Sequence, residues 1–291
     1  MPRDKFTTKK GELHMKNGII HKGIIGFAIL LGMSATALAQ DCKPKHEFKT
    51  ITPGTLTVAV TTYAPHSFMD ESGMMKGLDG DIATEFAKRE CLTVKPVAVD
   101  PAAAIQYVLS GQADITTGDW YRTAERAKVM NLSYPLYKDQ MGLYSKDGIK
   151  TVEELVGKNV GTVQGYLWVT DAKKLLGAKL RLYPNSVNMH QDLASGRIDV
   201  GIDGYSTGAY AAKNGNLKDI KVEVALPDDR IRATKEAAQA SLPYAKNATD
   251  FGAALDANIE EMHKDGTIAK ILQSYGLEES AGDTGAPKLL E

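Results

Sequence analysis

The 291-residue chain has few of the features that mark several large classes of protein. It contains only two cysteines, Cys42 and Cys91, and its six histidines show no metal-binding spacing such as His-x-x-x-His. It also lacks a Gly-x-x-x-x-Gly-Lys-Ser/Thr loop for nucleotide phosphates and any long basic stretch. We therefore expect no metal, no cofactor and no nucleic-acid partner.

The sequence has no apolar run long enough to span a bilayer. A short apolar run at 23–31 follows a basic start, and the pattern Ala-Leu-Ala comes after it at 37–39. This order is typical of a secretory signal peptide. We interpret residues 1–39 as a signal peptide cleaved after Ala39, with translation starting at Met15, and we expect a soluble protein in the periplasm.

Positive and negative charges nearly balance in the chain, whose formal net charge is −1. Without residues 1–39 the chain carries 29 Lys and Arg against 34 Asp and Glu, a formal net charge of −5. A mildly acidic protein is a poor partner for nucleic acid or an anionic membrane. Cys42 and Cys91 both follow the predicted cleavage point, in an oxidising compartment. A disulfide between them and two free thiols both remain open.

Strand and helix patterns alternate through the rest of the chain. TLTVAV at 55–60 is a β-rich run, and DGDIATEFAKRE at 79–90 has apolar residues at helical spacing. A second helical segment stops at Gly111 before a short strand, and TVEELVG at 151–157 opens with a capping box. Strand, glycine turn and helix follow again at 159–177. The alternation predicts an α/β fold with largely parallel sheets.

One pattern occurs twice. VLSGQADI at 108–115 and DLASGRIDV at 192–200 share a helix end, Ser-Gly, two residues, Asp and an apolar strand, 85 residues apart. Chance is the alternative, but the aligned glycine and aspartate favour two similar α/β lobes. Ligands of open α/β sheets bind beyond the carboxyl ends of the strands. We therefore expect the loops at 118–126 and 203–210 to line opposite walls of one cleft.

The stretch TTGDWYRTAERAK at 116–128 places an arginine where a helix begins. Thr123 is the predicted N-cap, and Arg126 stands at the position where Glu or Gln would complete a capping box. A guanidinium there adds positive charge to an electropositive helix terminus, which becomes favourable once a carboxylate arrives. A solvated helix residue is the alternative, but we predict an anion site at Arg126.

On the opposite wall, Asp203 ends the run RIDVGID at the top of a predicted strand. Its carboxylate could accept charge-assisted hydrogen bonds from a ligand ammonium. The alternative is an N-cap for a helix that starts near Ser206. Paired with Arg126 across a cleft, Asp203 would complete a site for the two ends of a zwitterion.

Aromatic residues make up only 7% of the chain, yet several fall in the predicted site loops. They are Tyr63, Trp120, Tyr121, Tyr166, Trp168 and Tyr205, and they include both tryptophans. A partly buried core position is the alternative for each. Together they predict an apolar stacking pocket, and the same set could cage a quaternary ammonium group.

The order of the motifs GLDGDIATEFAK, LSGQADI, TAERAKVMNLSYPLY, VEELVGKNVGTVQG, LASGRIDVGID and HKDGTIAKILQSYG resembles a known family. It is that of the periplasmic solute-binding proteins of ABC amino-acid importers, family 3 of the type II kind, and it covers about residues 54–277. The resemblance implies a two-lobed Venus-flytrap fold, each lobe a mostly parallel sheet flanked by helices. Lobe 1 would be 41–142 plus 234–280, lobe 2 would be 143–233, and 281–291 would form a C-terminal tail.

The family pattern also implies roles for side chains. Arg126 of the Thr-x-x-Arg motif would clamp the ligand α-carboxylate, Asp203 would take the α-ammonium, and Tyr63 would stack on the ligand. The remaining expected ligand-binding residues are Asp119, Trp120, Tyr121, Gln164, Tyr166 and Trp168.

Some positions depart from the family pattern. The Asp119-Trp120 turn and Tyr121 replace small hydroxyl residues, and Tyr166 stands where Ser or Thr is commoner. Val60 replaces an acidic residue that binds the cationic side chain of the ligand in some members of the family. These changes argue against a Lys, Arg or His ligand, although Asp119 could still meet a cationic side chain.

GYSTG at 204–208 matches the Gly-x-Ser-x-Gly pattern of a nucleophile elbow. A hydrolase built on Ser206 would need a downstream acid and histidine, and His263 is the only histidine after it. It lies at the polar end of a predicted helix, and the sequence has no oxyanion loop, so we expect no catalysis by Ser206. Some dehydratases of cyclohexadienyl acids resemble this family, so that enzymatic alternative stays open.

We therefore expect a monomeric receptor, not an enzyme, that captures an amino acid or a related small zwitterion. Its partner would be the membrane permease of an ABC importer. A binder of quaternary ammonium compounds is the alternative for the ligand, and a sensor protein is the alternative for the partner.

Overall fold

The structure, a computed structural model, describes residues 42–290. Its strands are β1 (Thr55–Thr61), β2 (Phe68–Met69), β3 (Met75–Lys76), β4 (Thr93–Val99), β5 (Ile115–Thr117), β6 (Trp120–Tyr121), β7 (Asn131–Leu132), β8 (Lys138–Asp139), β9 (Met141–Ser145), β10 (Val160–Val163), β11 (Leu180–Tyr183), β12 (Val200–Gly204), β13 (Lys221–Val224), β14 (Ala238–Ser241) and β15 (Pro243–Tyr244). Its α-helices are α1 (Leu78–Arg89), α2 (Pro101–Leu109), α3 (Ala124–Val129), α4 (Val169–Leu176), α5 (Ser186–Ala194), α6 (Tyr205–Lys213), α7 (Thr249–Lys264) and α8 (Thr267–Ser274).

The first of two five-stranded sheets, sheet I, has the strand order β4-β1-β5-β15-β7. β1 pairs in parallel with β4 and β5, whereas β15 pairs antiparallel with both β5 and β7. Val58 and Val60 of β1 are almost fully buried, as a central strand of β-branched residues should be. The apolar faces of α1, α7 and α8 join the same core, with Phe86, Phe251 and Leu272 among its members.

The second sheet, sheet II, has the order β11-β10-β12-β9-β13. β10 pairs in parallel with β11 and β12, and β9 pairs antiparallel with β12 and β13. The predicted α/β alternation is confirmed, and in each sheet one strand, β15 or β9, runs opposite to the other four. TVEELVG forms only a 3-10 turn, Glu153–Leu155. Its capping contacts are nevertheless present, since Thr151 N donates to Glu154 Oε2 over 2.9 Å.

Two chain segments cross between the sheets and pair with each other. β8 leads into β9 of sheet II, and β14 leads from the sheet II side into β15 of sheet I. β8 and β14 are antiparallel neighbours in a three-stranded sheet that also contains β6. A pair of adjacent crossing strands gives the two halves of the molecule a common connection.

The repeated sequence pattern corresponds to a repeated structure. Gly111 after α2 and Gly196 after α5 have left-handed φ angles of 70° and 73°, the conformation that commonly ends a helix. The aspartate three residues later caps the start of a neighbouring strand in both copies. Asp114 accepts from Thr57 N in β1 (2.7 Å), and Asp199 accepts from Asn159 N just before β10 (2.8 Å). The pattern therefore sets the register of the central strands in each sheet.

Both ends of the described chain are tied to its body. Cys42 and Cys91 form a disulfide that joins the N-terminal segment to the end of α1. At the other end, Leu290 N donates to Arg122 O, and Leu290 O accepts from Ala124 N at the start of α3. The C-terminal segment thus supports the beginning of the helix that carries the predicted carboxylate clamp.

The predicted signal peptide, its cleavage point and Met15 lie outside the described residues. Within residues 42–290, no helix has the length and apolar character needed to cross a membrane.

Candidate functional site

A cavity of about 30 Å³ lies between the two sheets, where β1, β5 and β10 end. Seven of the nine residues predicted to bind a ligand line it, namely Tyr63, Asp119, Trp120, Tyr121, Arg126, Tyr166 and Trp168. A space of this size holds about two water molecules. Entry of an amino acid therefore requires the two halves to separate or the lining side chains to rotate.

Arg126 is held at the cavity by its helix and by an aromatic ring. Thr123 Oγ1 caps α3 by accepting from Arg126 N (3.1 Å), as the sequence predicted. The guanidinium donates to Tyr121 O (2.8 Å) and lies 4.8 Å from the centre of the Trp120 ring. Burial lowers the pKa of Arg126 to about 10, an effect that the nearby Asp119 carboxylate opposes. The guanidinium is therefore charged at neutral pH and keeps further N–H donors for a carboxylate.

Aromatic side chains from the two halves meet across the cavity. Tyr166 and Trp168, which follow β10, are packed edge to face at 5.3 Å. Tyr63 from the sheet I side lies 5.6 Å from Tyr166, and Tyr121 lies 6.4 Å from Trp168. These contacts describe a closed cleft with an apolar, stacking lining.

The loop after β5 is fixed by a buried carboxylate. Asp79 Oδ2 accepts hydrogen bonds from Gly118 N and Asp119 N, both at 2.8 Å. Gly118 has φ +133°, and a Cβ there would collide with Thr61 Oγ1, so only glycine fits this turn. Asp119 itself adopts a left-handed φ of 56°, and its Oδ1 is buried without a hydrogen-bond partner among residues 42–290. Burial, with Asp139 and Asp79 nearby, raises the pKa of Asp119 well above its usual range.

Asp203 lies at the end of β12, as predicted, but does not line the cavity. Its Oδ1 accepts from Tyr63 Oη (2.7 Å) and from Gly204 N (2.9 Å). Its Oδ2 is buried, has no hydrogen-bond partner in the part of the chain that the structure describes, and lies 3.6 Å from His190 Nε2. The N-cap alternative for Asp203 is not what the structure shows, because Gly204 occupies the N-cap position of α6.

Gln164 is the other predicted residue that the structure leaves outside the cavity. Its side chain is exposed, and its backbone N–H donates to Tyr183 O (3.0 Å), which extends the pairing of β10 with β11.

A buried polar network beside the cavity was not predicted. His66 Nδ1 lies 2.7 Å from Tyr137 Oη, which donates to Asp79 Oδ1 (2.5 Å). His66 Nε2 lies 2.7 Å from Ser206 Oγ, which is also 2.9 Å from Asp139 Oδ2. The network therefore joins the first loop of sheet I, the crossing strand β8 and the start of α6.

Burial also shifts the titration of this network. It lowers the pKa of His66 to about 4, although Asp139 and Asp203 favour the charged form, so the imidazole is neutral at pH 7. Burial raises the pKa of Asp79 to about 6, against the effect of hydrogen bonds from Tyr137, Gly118 and Asp119.

The histidine that approaches Ser206 is an upstream one. The sequence analysis considered His263, whose Nε2 instead contacts Pro135 O at 2.8 Å. His66 lies three residues after Tyr63, so the sequence places it in the first loop, but its contact with Ser206 could not be predicted. Asp139 stands in the run YKDQ, and these residues match no binding or catalytic motif that would have identified it.

Comparison with known proteins agrees with this architecture. Residues 56–278 match the model of the bacterial extracellular solute-binding proteins, family 3. The chain belongs to this family. The resemblance read from the motifs is confirmed, and so is the two-lobed type II fold that it implied.

Proteins that are similar to this chain include several binding proteins. The L-cystine-binding protein TcyJ of Escherichia coli (strain K12) is 26% identical over 264 residues, 87% of this chain and 93% of that protein. A solved ancestral arginine-binding protein bound to glutamine is 29% identical, with TM-score 0.68, and covers 78% of this chain and 100% of its own. The ancestral amino-acid-binding protein AncCDT-1, a precursor of cyclohexadienyl dehydratase, is 26% identical with TM-score 0.67, and covers 76% and 95%.

Proposed function

We propose that this family 3 protein is an exported receptor that captures an amino acid, or a related small zwitterion, between its two halves. It delivers this ligand to the permease of an ABC importer. Membership of the family and the amino-acid-binding relatives support the function, and one feature of the site carries it. That feature is the charged guanidinium of Arg126, which lies at the cavity wall beside an aromatic lining.

In this proposal Arg126 binds the ligand carboxylate. One of its N–H groups is used by Tyr121 O, and the planar fork leaves others to make parallel hydrogen bonds to a carboxylate. Stacking on Trp120 fixes the plane of the guanidinium before a ligand arrives, which reduces the entropy lost on binding.

Asp203 is the proposed partner of the ligand ammonium. Its buried Oδ2 has no hydrogen-bond donor among the described residues, and Tyr63 Oη donates to its Oδ1. Opening of the cleft separates Tyr63, on the sheet I side, from Asp203 in sheet II. An ammonium that then contacts both groups would favour re-closure, because only the closed form presents both to it.

We place the boundaries of the lobes at 41–142 plus 234–280 for the first and 143–233 for the second. The crossing strands β8 and β14 support a hinge close to these limits. Residues 1–39 are proposed to direct export to the periplasm, and the mature protein is proposed to act as a monomer.

We propose further that the protein binds its ligand without transforming it. AncCDT-1 is described as a precursor of a dehydratase, so the fold has an enzymatic neighbour. Ser206 has an imidazole at 2.7 Å, but its hydroxyl does not line the cleft cavity. A nucleophile must reach its substrate in the ligand cleft, and this hydroxyl instead contacts His66 and Asp139 outside that cleft.

Tryptophan fluorescence tests the proposal, because Trp120 and Trp168 both line the cavity. The ligand-stripped protein is titrated with the twenty L-amino acids, L-cystine, choline, glycine betaine and several aromatic acids, and each mixture is analysed for consumption of the compound. We expect saturable binding of an amino acid at one per chain, with the compound recovered unchanged. Binding of choline or betaine alone, or turnover of any compound, would contradict the proposed function.

A further inference from the structure

We propose that His66, Asp119 and Asp139 form a binding site for a divalent transition-metal ion of the Zn²⁺ type at the floor of the cleft. The site does not depend on the proposed function, because none of the three residues is assigned the ligand carboxylate or ammonium. All three are buried, with 0%, 7% and 5% of their surfaces exposed.

The imidazole is oriented to present a lone pair. Tyr137 has one hydroxyl proton and gives it to Asp79, so its oxygen accepts from Nδ1–H of His66. The Nε2 atom of the neutral ring is then the acceptor, and it faces Asp119 and Asp139. Histidines that bind metals usually donate their other N–H to a fixed acceptor, which sets the tautomer and the ring orientation. Asp79 and Tyr137 provide that support here.

Hydrogen-bond accounting shows that the cluster lacks one donor or cation. Ser206 Oγ lies within 2.9 Å of both His66 Nε2 and Asp139 Oδ2, and both of those atoms are acceptors. One hydroxyl proton can satisfy only one of them. A metal ion bound to Nε2 resolves the conflict, because Ser206 then donates to Asp139 alone.

Asp119 gives an independent indication. Its Oδ1 is buried and has no hydrogen-bond partner among the described residues, and its Oδ2 is 3.8 Å from His66 Nε2. Arg126, a neighbouring cation, hydrogen-bonds to Tyr121 O and not to Asp119. A buried carboxylate without a donor is costly unless a cation binds it.

The distances suit a single ion. His66 Nε2 lies 3.8 Å from Asp119 Oδ2 and 3.8 Å from Asp139 Oδ2, and all three atoms lie within 4.8 Å of one another. Donor atoms held at about 2.1 Å from one Zn²⁺ are about 3 to 4 Å apart. Small side-chain rotations therefore complete the site. One imidazole with two carboxylates favours Zn²⁺ or Co²⁺ over Mg²⁺ and Ca²⁺, which prefer oxygen ligands alone.

The cluster borders two cavities. Asp119 borders the cleft cavity, whereas Asp139 and Ser206 border a separate cavity of about 530 Å³. The cluster thus lies between these two cavities.

Metal titration of the untagged, ligand-free chain tests the site. Zn²⁺ is measured by competition with a chromophoric chelator, and Co²⁺ by its visible absorption bands. We expect one saturable ion per chain, at least tenfold weaker in His66→Gln, Asp119→Asn and Asp139→Asn. The matched control is His263→Gln, which removes a half-buried histidine far from the cluster and should bind as the wild type does.

Each other outcome would overturn the site. Metal uptake that is absent, unsaturable or equal in all four variants shows that the three residues do not bind the ion. Should a variant unfold, the proton NMR spectrum of the wild-type Co²⁺ form still decides, because the absence of a hyperfine-shifted imidazole N–H signal excludes His66. Acidification that stabilises the protein while no metal binds would show that protons, and not an ion, neutralise the carboxylates. Amino-acid binding measured in the same samples separates failure of this site from failure of the receptor function.

Discussion

Replacement of Arg126 by alanine should abolish most of the ligand affinity and leave the fold intact. The variant removes the cation that we assign to the ligand carboxylate, and it would leave that carboxylate unpaired in a closed cleft. Loss of one partner of a buried charge pair costs about 2–5 kcal/mol of binding free energy. This range corresponds to an affinity about 30- to 4,000-fold lower.

The same substitution should change the free energy of unfolding only slightly. It removes one hydrogen bond to Tyr121 O, worth about 1 kcal/mol net, and a cation–π contact with Trp120 worth about 0.5–1 kcal/mol. Burial of the charged guanidinium, which lowers the pKa of Arg126, is unfavourable in the folded state, so its removal raises the free energy of unfolding and offsets part of this loss. A lost affinity would therefore not reflect unfolding.

Isothermal titration calorimetry with the tightest-binding amino acid of the panel measures this effect. Arg126→Lys keeps the charge but not the planar fork, so we expect an intermediate loss of about tenfold. Lys128→Ala, an exposed position of the same helix, is the matched control and should bind as the wild type does. An affinity of Arg126→Ala within threefold of the wild type would refute the assignment of the carboxylate clamp.

Three further predictions follow from the structure. Trp120→Phe should weaken amino-acid binding by about two- to fivefold, because phenylalanine makes a weaker cation–π contact with the guanidinium, and calorimetry measures the change. Reduction of the disulfide between Cys42 and Cys91, which are 49 residues apart, should lower the free energy of urea unfolding by about 2–4 kcal/mol, and reductant should have no effect on the double serine variant. Hydrogen bonds from Arg230 lower the pKa of Asp228 to about 2. The ionised Asp228 therefore stabilises the folded state above the ordinary carboxyl pKa, and this stabilisation is lost as the pH falls through 2. Asp228→Asn should therefore lower the melting temperature at pH 7 but not at pH 2, and equal shifts at both pH values would contradict this reasoning.

Much of the fold could be predicted because local patterns determine it. The β-branched run of β1 and the Ser-Gly-x-x-Asp repeat both correspond to structural features, since Asp114 and Asp199 each cap a neighbouring strand. The antiparallel strands β9 and β15 were not predicted. Their pairing depends on where the chain crosses between the sheets, and the local hydrophobic periodicity of the sequence carries no information about such distant contacts.

Residues of the candidate site were predictable where they belong to a motif or stand at a helix terminus. Thr123 and Arg126 stand at a recognisable helix start, and the Gly118–Asp119 turn follows a recognisable strand. The network of His66, Asp139 and Ser206 was not predictable, because its members come from segments about 70 residues apart and meet only in the folded chain. Gln164 shows the opposite case, a residue beside a strand end whose side chain turns outward.

A crystal structure of the protein with its tightest-binding amino acid tests the central claim most directly. We predict that the ligand lies between sheets I and II, with its carboxylate about 2.7–3.1 Å from the guanidinium nitrogens of Arg126. We also predict that its ammonium contacts Asp203. A ligand that binds outside this cleft, or whose carboxylate points away from Arg126, would contradict the account.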